Sequence, residues 1–164
     1  MRHLLVTNDY PPKVGGIQSY LWEIYRRLPQ DKVVVYTTPH PDSESFDQQQ
    51  THKIIRSKQR VLLPTKQVAN QIRSVAKDED IDFIMYDPAV PIGMLGPKIR
   101  IPYGVILHGA EVTIPGRVPI ARALIANVLQ NAKLVVTAGD YSTKEAIRAA
   151  KQDLPICVIP PGVD

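Results

Sequence analysis

The spacing of apolar residues changes period repeatedly along this chain. Leu4-Leu5-Val6 is a short apolar run ended by polar Thr7-Asn8-Asp9, a pattern that suits a strand buried on both faces. Pro11-Pro12 stops the run, and Gly15-Gly16 lets the backbone turn with no Cβ in the way. From there Ile17, Tyr20, Leu21, Ile24 and Leu28 fall at helical spacing, which predicts a helix starting at the glycines. The β-branched stretch 32–37 predicts a second strand, the polar stretch 39–51 a surface loop, and 53–56 a short third strand. Thr65 is placed to cap a helix whose apolar stripe is Ala69, Ile72, Val75 and Ala76. Strands follow at 82–86, 103–108, 133–137 and 156–159. Between them lie a short helix at 89–95, an amphipathic helix carrying Ala121, Leu124, Ile125, Val128 and Leu129, and a helix through Ala150. Ser142 and Glu145 have capping-box spacing for the last of these.

Strands alternating with helices predict an α/β fold: a Rossmann-like parallel sheet with helices on both faces. Ligands of such sheets bind beyond the carboxyl ends of the strands. Those ends carry Asn8-Asp9-Tyr10, Thr37-Thr38, Asp87 and His108-Gly109. The strand, Gly-Gly turn and helix N-terminus at the start of the chain would aim backbone N–H groups and a positive dipole end at an anion. The same glycines also suit a plain tight βα turn.

With 164 residues and one cysteine, the chain can bury a core without a disulfide framework or a cysteine zinc site. Cys157, in the run Ile156-Cys157-Val158-Ile159, is expected inside. No apolar stretch approaches the ~20 residues of a membrane span, and the first residues lack a signal peptide's apolar run. A cytoplasmic protein is the expectation. The net charge of +4 is unevenly placed: Lys53, Arg56, Lys58, Arg60, Lys66, Arg73 and Lys77 lie in a stretch without Asp or Glu, which gives one region a positive field.

Several chemistries are disfavoured. The Gly-x-Gly-x-x-Gly fingerprint is missing after the first strand, and Tyr36-Thr37-Thr38 stands where a dinucleotide enzyme has a ribose-binding acid. There is no P-loop and no Gly-x-Ser-x-Gly elbow. His3, His40, His52 and His108 show no metal-ligand spacing. His108 is the histidine at a strand's carboxyl end followed by glycine, where a neutral imidazole can donate one hydrogen bond and accept another. A structural histidine at the sheet's rim would occupy the same place.

The opening Leu4-Leu5-Val6-Thr7-Asn8-Asp9-Tyr10-Pro11-Pro12 with Gly15-Gly16-Ile17-Gln18-Ser19-Tyr20, then Leu63-Pro64-Thr65, His108-Gly109-Ala110-Glu111-Val112 and Pro160-Pro161-Gly162-Val163-Asp164, resembles the family 4 glycosyltransferases of the GT-B fold. Within that family the chain is especially similar to the phosphatidylinositol-mannoside mannosyltransferases of actinobacteria. The resemblance runs over essentially the whole chain. It implies an N-terminal, acceptor-side Rossmann-like domain over 1–159, with 160–164 as the start of the interdomain hinge and the donor-binding domain absent. That is one half of a GT-B architecture. The Glu-x7-Glu motif and the Arg/Lys pair that grip the donor phosphates in the family are missing from this chain, so the half alone is expected to be inactive.

The resemblance also implies residue roles. Gly15 and Gly16 match the loop against the donor diphosphate. His108 matches the histidine that touches the transferred sugar near its reacting carbon. Asp9, Tyr10 and Gln18 match positions on the acceptor side, and Glu111 is either an orienter or a solvated loop charge. The implied reaction is transfer of a hexose with retained configuration, mannose from GDP-mannose, to a lipid or glycan acceptor such as a phosphatidylinositol mannoside, without metal or other cofactor. The leaving phosphate takes the acceptor's proton.

The basic segment suits a lipid acceptor. Arg56, Lys58, Arg60, Lys66 and Arg73 around Val61-Leu62-Leu63 have the composition of an interfacial anchor, with Leu62 and Leu63 dipping toward acyl chains and the bases meeting anionic headgroups. That would place the protein peripherally at the inner membrane face. A solvated helix face with inward leucines is the competing reading. Nucleic acid is disfavoured, since the segment has no aromatics for stacking. A non-catalytic Rossmann-like binding module or partner subunit is the alternative to a transferase.

Overall fold

The computed structural model describes residues 1–109 and 119–162. The chain divides into two compact units, Met1–Ile84 and Met85–Asp164. In the first, strands β1 (His3–Thr7), β2 (Val33–Thr37) and β3 (Lys53–Arg56) alternate with helices α1 (Gly16–Tyr25), α2 (Ser43–Asp47) and α3 (Lys66–Asp78). β1 pairs with β2 and β2 with β3, both parallel, with Leu4 beside Val34 and Val35 beside Ile54.

The next strand, β4 (Phe83–Asp87), leads into the second unit. There a 3-10 turn (Ile92–Leu95) runs into α4 (Gly96–Ile99), followed by β5 (Tyr103–Leu107), α5 (Pro119–Asn131), β6 (Leu134–Thr137), α6 (Asp140–Ala150) and β7 (Ile156–Val158). β5 with β6 and β6 with β7 are again parallel. Among the described residues the strands run in the order β3-β2-β1-β4-β5-β6-β7, the order of a doubly wound sheet. The expected Rossmann-like α/β fold is what the chain adopts.

Position in the sheet explains strand burial. β2 and β5 are buried at every residue, as their unbroken apolar runs predicted. β3 and β7 are edge strands and stay partly open. Cys157, expected inside, is therefore exposed on edge strand β7. Each fully buried Leu, Val or Ile contributes about 1.5–3 kcal/mol. In the first unit Leu4, Leu5, Val34, Leu21 and Ile72 are of this kind; in the second, Val105, Leu107, Leu129 and Val135 are.

Helix ends follow local chemistry. The Thr65 hydroxyl accepts the Val68 N–H at 3.2 Å, which makes it the N-cap of α3 as its sequence predicted. α1 buries Leu21 and Tyr25 and ends before Leu28. The Gln30 side chain donates to the carbonyls of Tyr25 and Leu28 and so satisfies acceptors at that helix's C-terminus. The capping box predicted at Ser142 and Glu145 does not form. Extended Gly139 opens α6, and the Ser142 hydroxyl, inside the helix, donates back to the Gly139 carbonyl at 2.9 Å. The segment read as loop at 39–51 contains α2, whose Asp47 and Phe46 are used below.

Candidate functional site

In the first unit, the candidate site is the connection from β1 to α1. Gly15 is extended and opens α1 with no side-chain cap, and the first turn holds no acidic residue. No side chain caps its first amides and no first-turn carboxylate faces them, at the positive end of the helix dipole. Around Gly16 an added Cβ would meet nothing within 4 Å. Around Gly15 it would run into the Gln18 side-chain amide at 2.3 Å, so glycine is what lets Gln18 fold back over the turn. Gln18 is held there by Asp9, whose Oδ1 accepts its Nε2–H at 2.9 Å. Asp9, Gln18 and the glycines, four of the predicted residues, thus form one cluster.

Tyr10, predicted on the acceptor side, lies elsewhere. It is 0% exposed, and its hydroxyl meets His52 Nε2 at 2.9 Å inside the fold. Burial pushes its pKa far up, beyond the usual tyrosine range, and pushes His52 down. The ring stands edge-on to Phe46 of α2. What Tyr10 does for the connection is anchor it from beneath.

Other side chains complete the anchoring. Asn8 clamps Leu62 by both backbone groups, accepting its N–H at 2.7 Å and donating to its carbonyl at 3.1 Å. Lys13 Nζ donates to the Asn8 carbonyl at 2.7 Å and to Thr38 Oγ1 at 2.8 Å. Arg56 donates to the Pro11 carbonyl at 2.7 Å, the Thr38 carbonyl at 3.1 Å and the Asp47 carboxylate at 2.6 Å. The sequence reading put Asn8 at a strand end without its clamp on Leu62, and gave Lys13 no role. Their signal was position: Asn8 follows a strand end, and Lys13 sits two residues before the Gly-Gly pair.

The basic segment sorts into inward and outward residues. Arg56, only 13% exposed, is committed to the contacts above rather than offered to a partner. Leu62, expected to face lipid, is fully buried because the Asn8 clamp turns it inward. Val61 at 55% and Leu63 at 48% are the residues left outside. Lys58, Arg60 and Lys66 are exposed beside them in sequence. Arg73, also exposed, donates to Asn70 Oδ1 at 3.0 Å on α3. Among the described residues no helix is long and apolar enough to cross a membrane.

The second unit places His108 directly after β5 and Asp87 at the end of β4. His108 Nε2 and Asp87 Oδ1 are 2.5 Å apart, with side-chain exposures of 16% and 1%. Gly109 follows with φ of 112°, in the left-handed region that favours glycine. A Cβ on Gly109 would lie 3.8 Å from the Tyr141 ring. The sequence placed Asp87 at a strand end without linking it to His108. Glu111 lies outside the described residues. Among the described residues no three His, Cys, Asp or Glu side chains gather into a metal-binding set.

Residues 14–164 match the family model for Glycosyltransferase Family 4. The chain is 30% identical over 173 residues to a GDP-mannose-dependent alpha-(1-6)-phosphatidylinositol monomannoside mannosyltransferase of Mycobacterium tuberculosis, a match covering 99% of this chain and 45% of that protein. It is 29% identical to the protein of the same description from Mycolicibacterium smegmatis, over 98% of this chain and 44% of the relative. The chain therefore spans less than half the length of these relatives. Among solved structures, Anabaena HepE in complex with UDP and glucose superposes on all of this chain and 45% of its own, with a TM-score of 0.74 at 19% identity.

Proposed function

The chain belongs to glycosyltransferase family 4, and on that premise we propose that it forms the acceptor-side half of a retaining mannosyltransferase. The donor is GDP-mannose, and the acceptor is a glycolipid of the phosphatidylinositol-mannoside type. The observation that carries this reading is the 30% identity along 99% of the chain to a relative described as GDP-mannose-dependent.

In the transfer, the bond between the mannose anomeric carbon and the diphosphate oxygen breaks, and a bond to the acceptor oxygen forms on the same face. The acceptor's hydroxyl proton passes to the leaving diphosphate, and GDP departs. The reaction needs no metal ion, and the protein's contribution is positioning and charge stabilisation. The uncapped start of α1 at Gly15 and Gly16 receives the diphosphate. Asp9 and Gln18, joined by their hydrogen bond, stand on the acceptor side, and His108 contacts the transferred sugar. The rest of the donor grip would come from the part of the relatives' length that this chain does not span, and these residues alone would be inactive.

The acceptor's lipid nature gives the exposed Val61 and Leu63 a use. They enter the interface of an anionic membrane while Lys58, Arg60 and Lys66 meet its headgroups, which holds the protein peripherally at the cytoplasmic face. Each base near such a surface contributes about 1 kcal/mol, enough for reversible docking.

The test uses the full-length protein, radiolabelled GDP-mannose and a phosphatidylinositol-mannoside acceptor in anionic vesicles. Label should enter the lipid fraction with retained configuration, and His108→Ala should slow transfer by at least ~10²-fold with the fold preserved. Label in lipid at the parent rate in that variant would remove His108 from the site. No transfer by the parent protein would remove the mannosyltransferase reading. Sedimentation of the parent with anionic and with neutral vesicles, beside a Val61→Asp/Leu63→Asp variant, tests the docking surface. Equal recovery of parent and variant on anionic vesicles would refute it.

A further inference from the structure

We propose that Asp87 is a positioning residue that fixes the ring orientation and tautomer of His108, so that Nε2 carries the proton and Nδ1 the lone pair. The proposal deepens the transferase reading and depends on it only for the kinetic consequence.

The geometry leaves little choice of donor. An ionised carboxylate only accepts hydrogen bonds. With Asp87 Oδ1 2.5 Å from Nε2, the proton belongs on Nε2 and points at the carboxylate. A neutral imidazole has one N–H, so Nδ1 is then an acceptor, suited to a hydroxyl that donates. The carboxylate is well placed to impose this. It sits at the last residue of β4 with 1% of its side chain exposed, and β4 and β5 are neighbours in the sheet. A rigid strand end positions a side chain better than a loop does. His108 itself leads straight into Gly109, whose positive φ turns the chain away. The contact with the carboxylate gives the ring one fixed bearing at Nε2. A carboxylate partner holds a functional imidazole in one tautomer and one ring orientation.

The alternative is that the pair is structural only, an imidazole satisfying a buried carboxylate at the sheet's rim. Two readouts on the full-length protein separate the two. Nitrogen-15 spectra of labelled histidine, with His108→Gln used to assign the ring, should show a protonated Nε2 and a pyridine-like Nδ1 when the ring is neutral. A protonated Nδ1 in the parent protein overturns the proposal, and this readout needs neither activity nor a folded Asp87 variant. The second readout is kinetic. Asp87→Asn should lower kcat about 10–100-fold and leave the donor's KM within a factor of about three, since positioning acts on the bound complex. In a His108→Gln background the same change should cost almost nothing, because residues acting through one another are not additive. An equal loss in both backgrounds would mean that Asp87 acts by some route other than His108. A parent protein without transferase activity would remove the function proposed above while leaving the tautomer assignment standing on its own spectrum.

Discussion

Replacing Tyr10 by phenylalanine tests the buried anchor beneath the β1–α1 connection. The hydrogen-bond directions there can be worked out from one end. Gln30 Nε2 donates to the carbonyls of Tyr25 and Leu28, which leaves Gln30 Oε1 as the acceptor facing His52 Nδ1 at 2.8 Å. The Thr51 hydroxyl donates to the same oxygen at 2.9 Å. Nδ1 of His52 is therefore protonated, and Nε2 is the acceptor for the Tyr10 hydroxyl at 2.9 Å. Tyr10→Phe keeps the ring against Phe46 and removes only this donor. A buried acceptor left without a partner costs about 1–3 kcal/mol. At a urea slope of about 2 kcal/mol per molar, that lowers the midpoint by roughly 1 M. Urea unfolding at neutral pH, followed by circular dichroism, measures it.

The pH dependence gives a second handle on the same bond. Burial lowers the pKa of His52 from 6.5, with Asp47 opposing in part. The unfolded chain then binds a proton that the folded chain refuses. His52's contribution is intact above about pH 6.5 and is lost as pH falls from there toward the lowered folded value. The Tyr10 hydroxyl favours the neutral ring, so Tyr10→Phe should make His52 easier to protonate and the acid decline shallower. His3, also lowered by burial, declines in the same direction in both proteins and cancels in the comparison. Arg56 and Asp47, the charges that act on Tyr10, and Asp47, which acts on His52, are unchanged. A variant as stable as the parent at neutral pH, or one with a steeper acid decline, would refute the assigned bond.

Three further substitutions probe other parts of the fold by the same denaturation measurement. Gly104→Ala should cost about 1–3 kcal/mol, because a Cβ there would lie 2.6 Å from Met85 Sδ and 2.8 Å from the Leu134 carbonyl of the neighbouring strand. Thr65→Ala should cost about 1 kcal/mol by removing the N-cap of α3, with Thr65→Ser retaining most of the stability. Arg56→Lys should destabilise by about 1–2 kcal/mol although charge is kept, since one ammonium cannot replace the guanidinium contacts to Pro11, Thr38 and Asp47.

Features set by neighbours in sequence were legible; those set by neighbours in space were not. The apolar runs at β1, β2 and β5 needed only a few consecutive residues to declare themselves, and they are buried as expected. Thr65 declared its cap in the same local way. That His108 follows a strand and that Gly15 and Gly16 open a helix was legible because strand ends and βα turns are local signals. Tyr10 was missed as an anchor because its partner lies 42 residues on, and Asp87 was not linked to His108 across 21 residues. Leu62 reads as one of three equivalent apolar residues, and only a clamp from Asn8, 54 residues earlier, decides that it turns inward while its neighbours stay out. Cys157 turned out exposed for a topological reason, because no local pattern tells an edge strand from an interior one.

The way the β1–α1 connection is held bears on how it would bind. Glycines give the turn its freedom, and freedom carries an entropic cost whenever a ligand has to order the backbone. Here the ordering contacts are already made on either side of the glycines. Asn8, Tyr10, Pro11 and Lys13 precede them and are each tied to a different residue: Leu62, His52, Arg56 and Thr38. Gln18 follows them and is tied back to Asp9. Only Gly15 and Gly16 between these anchors lack a side chain, so the amides at the start of α1 are presented by a fixed frame. Much of the cost of ordering this backbone for an anion would therefore fall on folding rather than on binding. Were the diphosphate proposed above bound at this turn, substitutions in the frame, remote from the ligand, should weaken its binding through loss of preorganisation.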